Sequence, residues 1–133
     1  MNMKFHHIGV ACKNLDIETR QFALLGYKPE GPDFIDKLQG VTGRFLAGGG
    51  PRIELLTSTG ASEVLKPWLK AGVKMYHLCY EAPNFLAAIA HLQSKHAKLV
   101  VPPVVSVAFQ GREIAFLMLP NLLLVELIEA PCA

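Results

Sequence analysis

Cysteine is scarce in this chain and poorly placed for cross-linking: Cys12, Cys79 and Cys132 are an odd number at wide spacing, with no CxxC pair. That argues against a disulfide framework and for reduced thiols in a cytoplasmic protein. An excess of one charge is also missing. The 13 Lys and Arg against 11 Asp and Glu leave a formal charge of +2 with the basic residues scattered, so there is no footprint for nucleic acid, although a small anionic ligand is compatible. No apolar run reaches membrane-spanning length, and the opening Met-Asn-Met-Lys-Phe-His-His has no signal-peptide core, so no membrane partner is expected. Apolar side chains are what the chain has in quantity. At 51% of 133 residues they suffice to bury a core without disulfides, in one compact domain or two small halves sharing a core.

The stretch Leu122-Leu-Leu-Val-Glu-Leu-Ile-Glu129 encloses Glu126 in apolar side chains. So uniform a run reads as a buried strand, where an isolated carboxylate would cost several kcal/mol without a cationic partner. The same figure occurs in Arg52-Ile-Glu-Leu-Leu-Thr57, around Glu54. Two further strand-like stretches, Phe5–Cys12 and Met75–Tyr80, carry His7 and His77.

Taken in order, Phe5–Cys12 predicts a strand, and Asn14 or Asp16 then caps a helix with Leu15, Phe22 and Leu25 at helical spacing and Gly26 as its stop. Tyr27–Asp36, broken by Pro29, Gly31 and Pro32, predicts an irregular edge strand. Val41–Ala47 predicts a strand returned by Gly48-Gly-Gly-Pro51 into the one holding Glu54; with no helix following it, the glycine run is a turn and not a phosphate loop. Glu63–Lys70 predicts a short helix or turn linking two halves. Met75–Glu81 is a strand again, followed by a helix with Phe85, Ile89, Leu92 and His96 on its inner face. Leu99–Val101 predicts a short strand stopped by Pro102-Pro103, and Glu113–Leu119 with Leu122–Ile128 a hairpin about Pro120-Asn121.

These stretches form an internal repeat. His7 and His77 are offset by 70 residues, and Glu54 and Glu126 by 72. Each strand-helix-strand-strand-strand unit offers one histidine from its first strand and one glutamate from its last. Two imidazoles and two carboxylates suit a borderline divalent ion such as zinc, nickel, cobalt or iron, with manganese or magnesium also compatible, if the four strands curve around a common cleft.

His-His-Ile-Gly-Val-Ala, Arg-Ile-Glu-Leu-Leu, Tyr-His-Leu-Cys-Tyr-Glu and Leu-Val-Glu-Leu-Ile-Glu-Ala together resemble the vicinal oxygen chelate superfamily over nearly the full chain, most closely its methylmalonyl-CoA epimerase and glyoxalase I-like branch. The resemblance implies an α+β fold of two tandem βαβββ modules, about 4–57 and 74–130 with a linker at 58–73, forming a curved mixed sheet around a metal-binding cleft in a single domain over 1–133. It implies His7, Glu54, His77 and Glu126 as metal ligands, Glu126 as the proton-shuttling carboxylate, a small-molecule substrate and a homodimer. The implied chemistry is isomerase or lyase action on a carbonyl or thioester through a metal-stabilised enolate. An extradiol-type dioxygenase, with two histidines and one glutamate on iron, and a ligand-sequestering protein of the bleomycin-resistance type are the alternatives.

One segment departs from the epimerase pattern. Where those enzymes carry a glutamate as second base, this chain reads Lys37-Leu-Gln-Gly-Val41, with Leu38 in its place. Nor is there a phosphate clamp for an acyl-CoA, only dispersed Lys4, Arg44, Arg52 and Arg112. Bland roles are expected elsewhere: His6 on the opposite face from His7, His91 and His96 on the second helix as surface or packing residues, Glu81 and Glu129 solvated, Cys79 as apolar filler, Tyr76 and Tyr80 in packing.

Overall fold

The computed structural model describes residues 2–131. In chain order it contains β1 (Lys4–Ala11), α1 (Leu15–Ala23), β2 (Lys28–Asp36), β3 (Val41–Ala47), β4 (Ile53–Ser58), α2 (Lys66–Ala71), β5 (Met75–Ala82), α3 (Phe85–Ser94), β6 (Lys98–Val105), a 3-10 turn (Val107–Phe109), β7 (Glu113–Met118) and β8 (Leu124–Glu129). The protein is thus a mixed α+β fold in which βαβββ occurs twice. Among the described residues, no helix is long and apolar enough to cross a membrane. The chain divides into two compact units, His7–Tyr76, and the residues up to His6 together with those from His77 onward.

In the unit His7–Tyr76 the strands run in the order β2-β3-β4-β1, with β1 parallel to β4 and the other pairs antiparallel. The Asn14 side chain accepts a 2.9 Å hydrogen bond from the Ile17 amide, satisfying one of the orphan donors that open α1. Leu15 and Phe22 of this helix then cover Val10, Cys12, Tyr27, Leu46, Ile53 and Leu55. Leu25, expected at helical spacing with them, lies past the end of α1 at Ala23 and is exposed. The opposite face packs Ala11, Val41 and Leu56 with Leu65, Phe34, Trp68 and Tyr76. Gly43 sits directly across from Phe34, whose ring occupies the space a Cβ would need, so the glycine makes room for an aromatic cover.

In the other unit the order is β5-β8-β7-β6, with β5 parallel to β8. Alternation along β8 sends Val125 and Leu127 under Phe85, Ala88 and Ile89 of α3, and Glu126 to the opposite face. His96 does not belong to the inner face of α3. It follows the helix at φ 74° and is exposed, in the left-handed turn that ends it. The strand expected to stop before Pro102-Pro103 instead continues to Val105. It is the last strand of its unit, and a bulge places three β6 steps, Val101 to Val104, against two on β7, so the prolines sit where no ladder amide is required. β8 begins two residues later than expected, since Leu122 takes a φ of 69° in the turn and the Asn121 side chain accepts from the Leu123 amide.

Arg44 on β3 ties the first unit's elements together. Its guanidinium donates twice to Asp33, each at 2.8 Å, and also to Asp16 and to Thr19 Oγ1 on α1. Its hydrogen bonds to Asp33 hold that carboxyl below its ordinary 3.8. A carboxyl lowered in the folded state adds stability above 3.8 that disappears as pH falls through the lower folded value. Urea midpoints at pH 6 should therefore show Asp33→Asn less stable than wild type, with the difference closing well below pH 3.8. An equal gap at both pH values would remove the clamp from the account.

Candidate metal centre

The candidate residues are positioned the same way in each unit. On β4, Glu54 is flanked by Ile53 and Leu55, both buried, and is itself 3% exposed. A charge so placed demands a partner. The parallel register sets Gly9 beside Glu54, so His7, two residues earlier on the same face of β1, reaches the carboxylate: His7 Nε2 lies 3.1 Å from Glu54 Oε1. Across the antiparallel pair, Phe45 is the direct neighbour of Glu54, and its ring meets the His7 imidazole nearly perpendicularly, with centroids 5.6 Å apart.

The second unit repeats each step. Cys79 stands beside Glu126 in the parallel register, and His77 Nε2 lies 3.2 Å from Glu126 Oε1. Phe116 is the direct neighbour of Glu126 on β7, with its ring 5.2 Å from the His77 imidazole at 89°. His7, His77, Glu54 and Glu126 are all at most 3% exposed. The sequence pattern does not single out Phe45 and Phe116 as partners of the pairs, although their offset of 71 residues falls between the 70 of the histidines and the 72 of the glutamates.

The donor set fits a divalent ion. An imidazole nitrogen and a carboxylate oxygen each about 2.1 Å from one ion, and 3.1 Å apart as His7 and Glu54 are, subtend about 95° at it, close to adjacent ligands in octahedral geometry.

Other singled-out residues fall outside these pairs. Leu38 is 73% exposed in the turn between β2 and β3. Arg44 pairs with Asp33, Arg52 with Glu30, and Arg112 with Glu81, so each of these three arginines has a carboxylate within its own unit. Glu81, expected to be solvated, is instead half-buried by that ion pair, while Glu129 is exposed. His6 packs edge-on against Phe109, 5.4 Å away, as alternation away from His7 requires.

Residues 6–116, most of the chain, match the Glyoxalase/Bleomycin resistance protein/Dioxygenase superfamily. The chain belongs to this superfamily. Three of the paired residues lie within the matched span, and Glu126 beyond it. Solved structures align with this glyoxalase-superfamily chain along most or all of its length. A hypothetical protein from Bacillus halodurans C-125 is 25% identical with a TM-score of 0.80, covering 100% of this chain and 98% of the other. Methylmalonyl-CoA epimerase from Mycobacterium tuberculosis is 26% identical with a TM-score of 0.78, covering 96% and 89%. A Streptomyces coelicolor methylmalonyl-CoA epimerase variant in complex with 2-nitronate-propionyl-CoA, 23% identical with a TM-score of 0.74 over 97% and 98%, shares the fold. No curated protein sequence matches.

Cys12 and Cys79 are both buried, and burial pushes the Cys12 thiol up to about 11. At pH 8 only about one Cys12 in a thousand would be thiolate. In Cys132→Ser protein, a disulfide-exchange reagent at pH 8 should leave both thiols unmodified until denaturant is added; rapid native labelling of either would contradict their burial.

Proposed function

We propose that His7, Glu54, His77 and Glu126 together hold one divalent metal ion, and that the protein is a metal-dependent isomerase or lyase acting on a small carbonyl or thioester substrate. The observation that carries this reading is the twice-built buried His–Glu pair, at 3.1 and 3.2 Å. Superfamily membership and the likeness to the mycobacterial epimerase support it. Two imidazoles with two carboxylates suit zinc, nickel, cobalt, manganese or magnesium. Bound there, such an ion supplies Lewis acidity that polarises a substrate carbonyl and lowers the cost of enolate charge. A homodimer in the cytoplasm completes the reading.

The chain's own residues supply orientation and proton transfer. His7 and His77 fix the carboxylates that face them, and we assign Glu126 to take the proton beside the substrate carbonyl and return it. Epimerisation needs a second acid on the opposite face of that carbon. Leu38, exposed and apolar at the position where epimerases resembling this chain place their second base, supplies none. Exchange of the α-proton with solvent should therefore outpace inversion.

Metal analysis of protein reloaded with zinc or cobalt should find about one ion per chain, lost in the His7→Ala, Glu126→Ala double variant. Equal, negligible metal in both proteins would overturn the site.

Deuterium incorporation and stereochemistry should be followed together on methylmalonyl-CoA, with the hemithioacetal of methylglyoxal as the parallel substrate. We expect exchange without efficient epimerisation, a loss of about a hundredfold or more in Glu126→Gln, and a gain in inversion over exchange in Leu38→Glu. Efficient epimerisation by wild type would refute the role given to Leu38. Turnover of the hemithioacetal alone would move the assignment to the lyase branch, and failure on both substrates would leave the metal site standing and favour a different substrate or a binding role.

A further inference from the structure

Phe45 and Phe116 stand in the same relation to the two His–Glu pairs. Each is the direct cross-strand neighbour of the glutamate, on the same face, and each ring abuts the histidine nearly at right angles, 74° in one unit and 89° in the other. An imidazole can turn about its side-chain bonds, and its Nε2 serves as a ligand only in the rotamer that brings it to the carboxylate. A ring packed perpendicular to the imidazole at 5.6 or 5.2 Å blocks that rotation and adds the favourable edge-to-face contact of aromatic pairs. The conformational cost of ordering the ligand is then met when the chain folds, before any ion arrives. In the first unit the support extends further, since Phe34 packs against Phe45 at 5.7 Å and itself covers Gly43.

We infer that Phe45 and Phe116 are positioning residues for the metal centre, each preorganising its histidine for coordination. This rests on the metal reading given above. Neither ring offers a ligand atom, so their contribution appears as ion affinity and ligand geometry. It is distinct from general packing, to which Phe22, on the far side of the first unit's sheet beside Tyr27, provides the comparison.

The test uses the full chain as wild type, Phe45→Leu, Phe116→Leu, Phe22→Leu and Phe45→Tyr, the last keeping the ring. Cobalt(II) affinity is measured by chelator competition and the ligand field by visible absorption. The expectation is a loss of about tenfold or more in affinity, with an altered visible spectrum, for each of Phe45→Leu and Phe116→Leu. Phe45→Tyr and Phe22→Leu should stay within about twofold of wild type, even where Phe22→Leu lowers the melting temperature as much as the other two. Wild-type affinity and spectrum in Phe45→Leu and Phe116→Leu would overturn the inference while leaving the metal site intact. If wild type binds no cobalt, the metal reading itself fails, and the imidazole 1H–15N correlations of the apo protein decide the positioning role separately. One sharp set per histidine in wild type and averaged or doubled sets in the leucine variants would support it, and a single sharp set in every variant would overturn it.

Discussion

Burying a carboxylate inside an apolar strand is the constraint on which the architecture of both units depends. Neither Glu54 nor Glu126 could occupy its place between fully buried neighbours without compensation, because a lone ionised carboxylate taken from water costs more than one apolar contact returns. The parallel pairing of β1 with β4, and of β5 with β8, answers that demand by setting a histidine against each glutamate. Parallel strands need a long crossover, and α1 and α3 lie on those crossovers. The helix, the crossover and the pair are therefore linked consequences of where the charge sits.

Around this shared motif the units are held together differently. The first ties its elements through the guanidinium of Arg44, which reaches both α1 and β2. The second uses Arg112, which binds Glu81, the Glu129 carbonyl and the Phe109 carbonyl, and lies over the Phe109 ring. What the repeats have in common is the face bearing the pairs, while the scaffolding around it has diverged.

Much of this was legible in the residues. A single polar side chain inside an apolar run is conspicuous, and four of them recurring at offsets of 70 and 72 residues reveal both the duplication and the candidate ligands. Period-two alternation correctly separated His6 from His7. Less legible was whatever depends on cross-strand register. Pairing brings Phe45 and Phe116 to their glutamates, and no local pattern along β3 or β7 marks them out from other core aromatics. The extension of β6 through Pro102 and Pro103 was hidden for a related reason. A proline forbids a ladder amide only where a ladder exists, and that depends on which strand lies at the edge. Glu81 was misread because its partner, Arg112, lies 31 residues away along the chain.

β1 has a divided allegiance. Its residues up to His6 belong with the stretch that starts at His77, where Met3 packs on the α3 core and Phe5 meets Tyr80 edge-on, while His7 onward belongs to the other unit. Contiguous repeats in sequence are thus not contiguous bodies in space. Cutting the chain between Tyr76 and His77 would not release two independent halves: the C-terminal fragment would leave behind the segment that covers its own core, and the N-terminal fragment would carry that segment with nothing to cover.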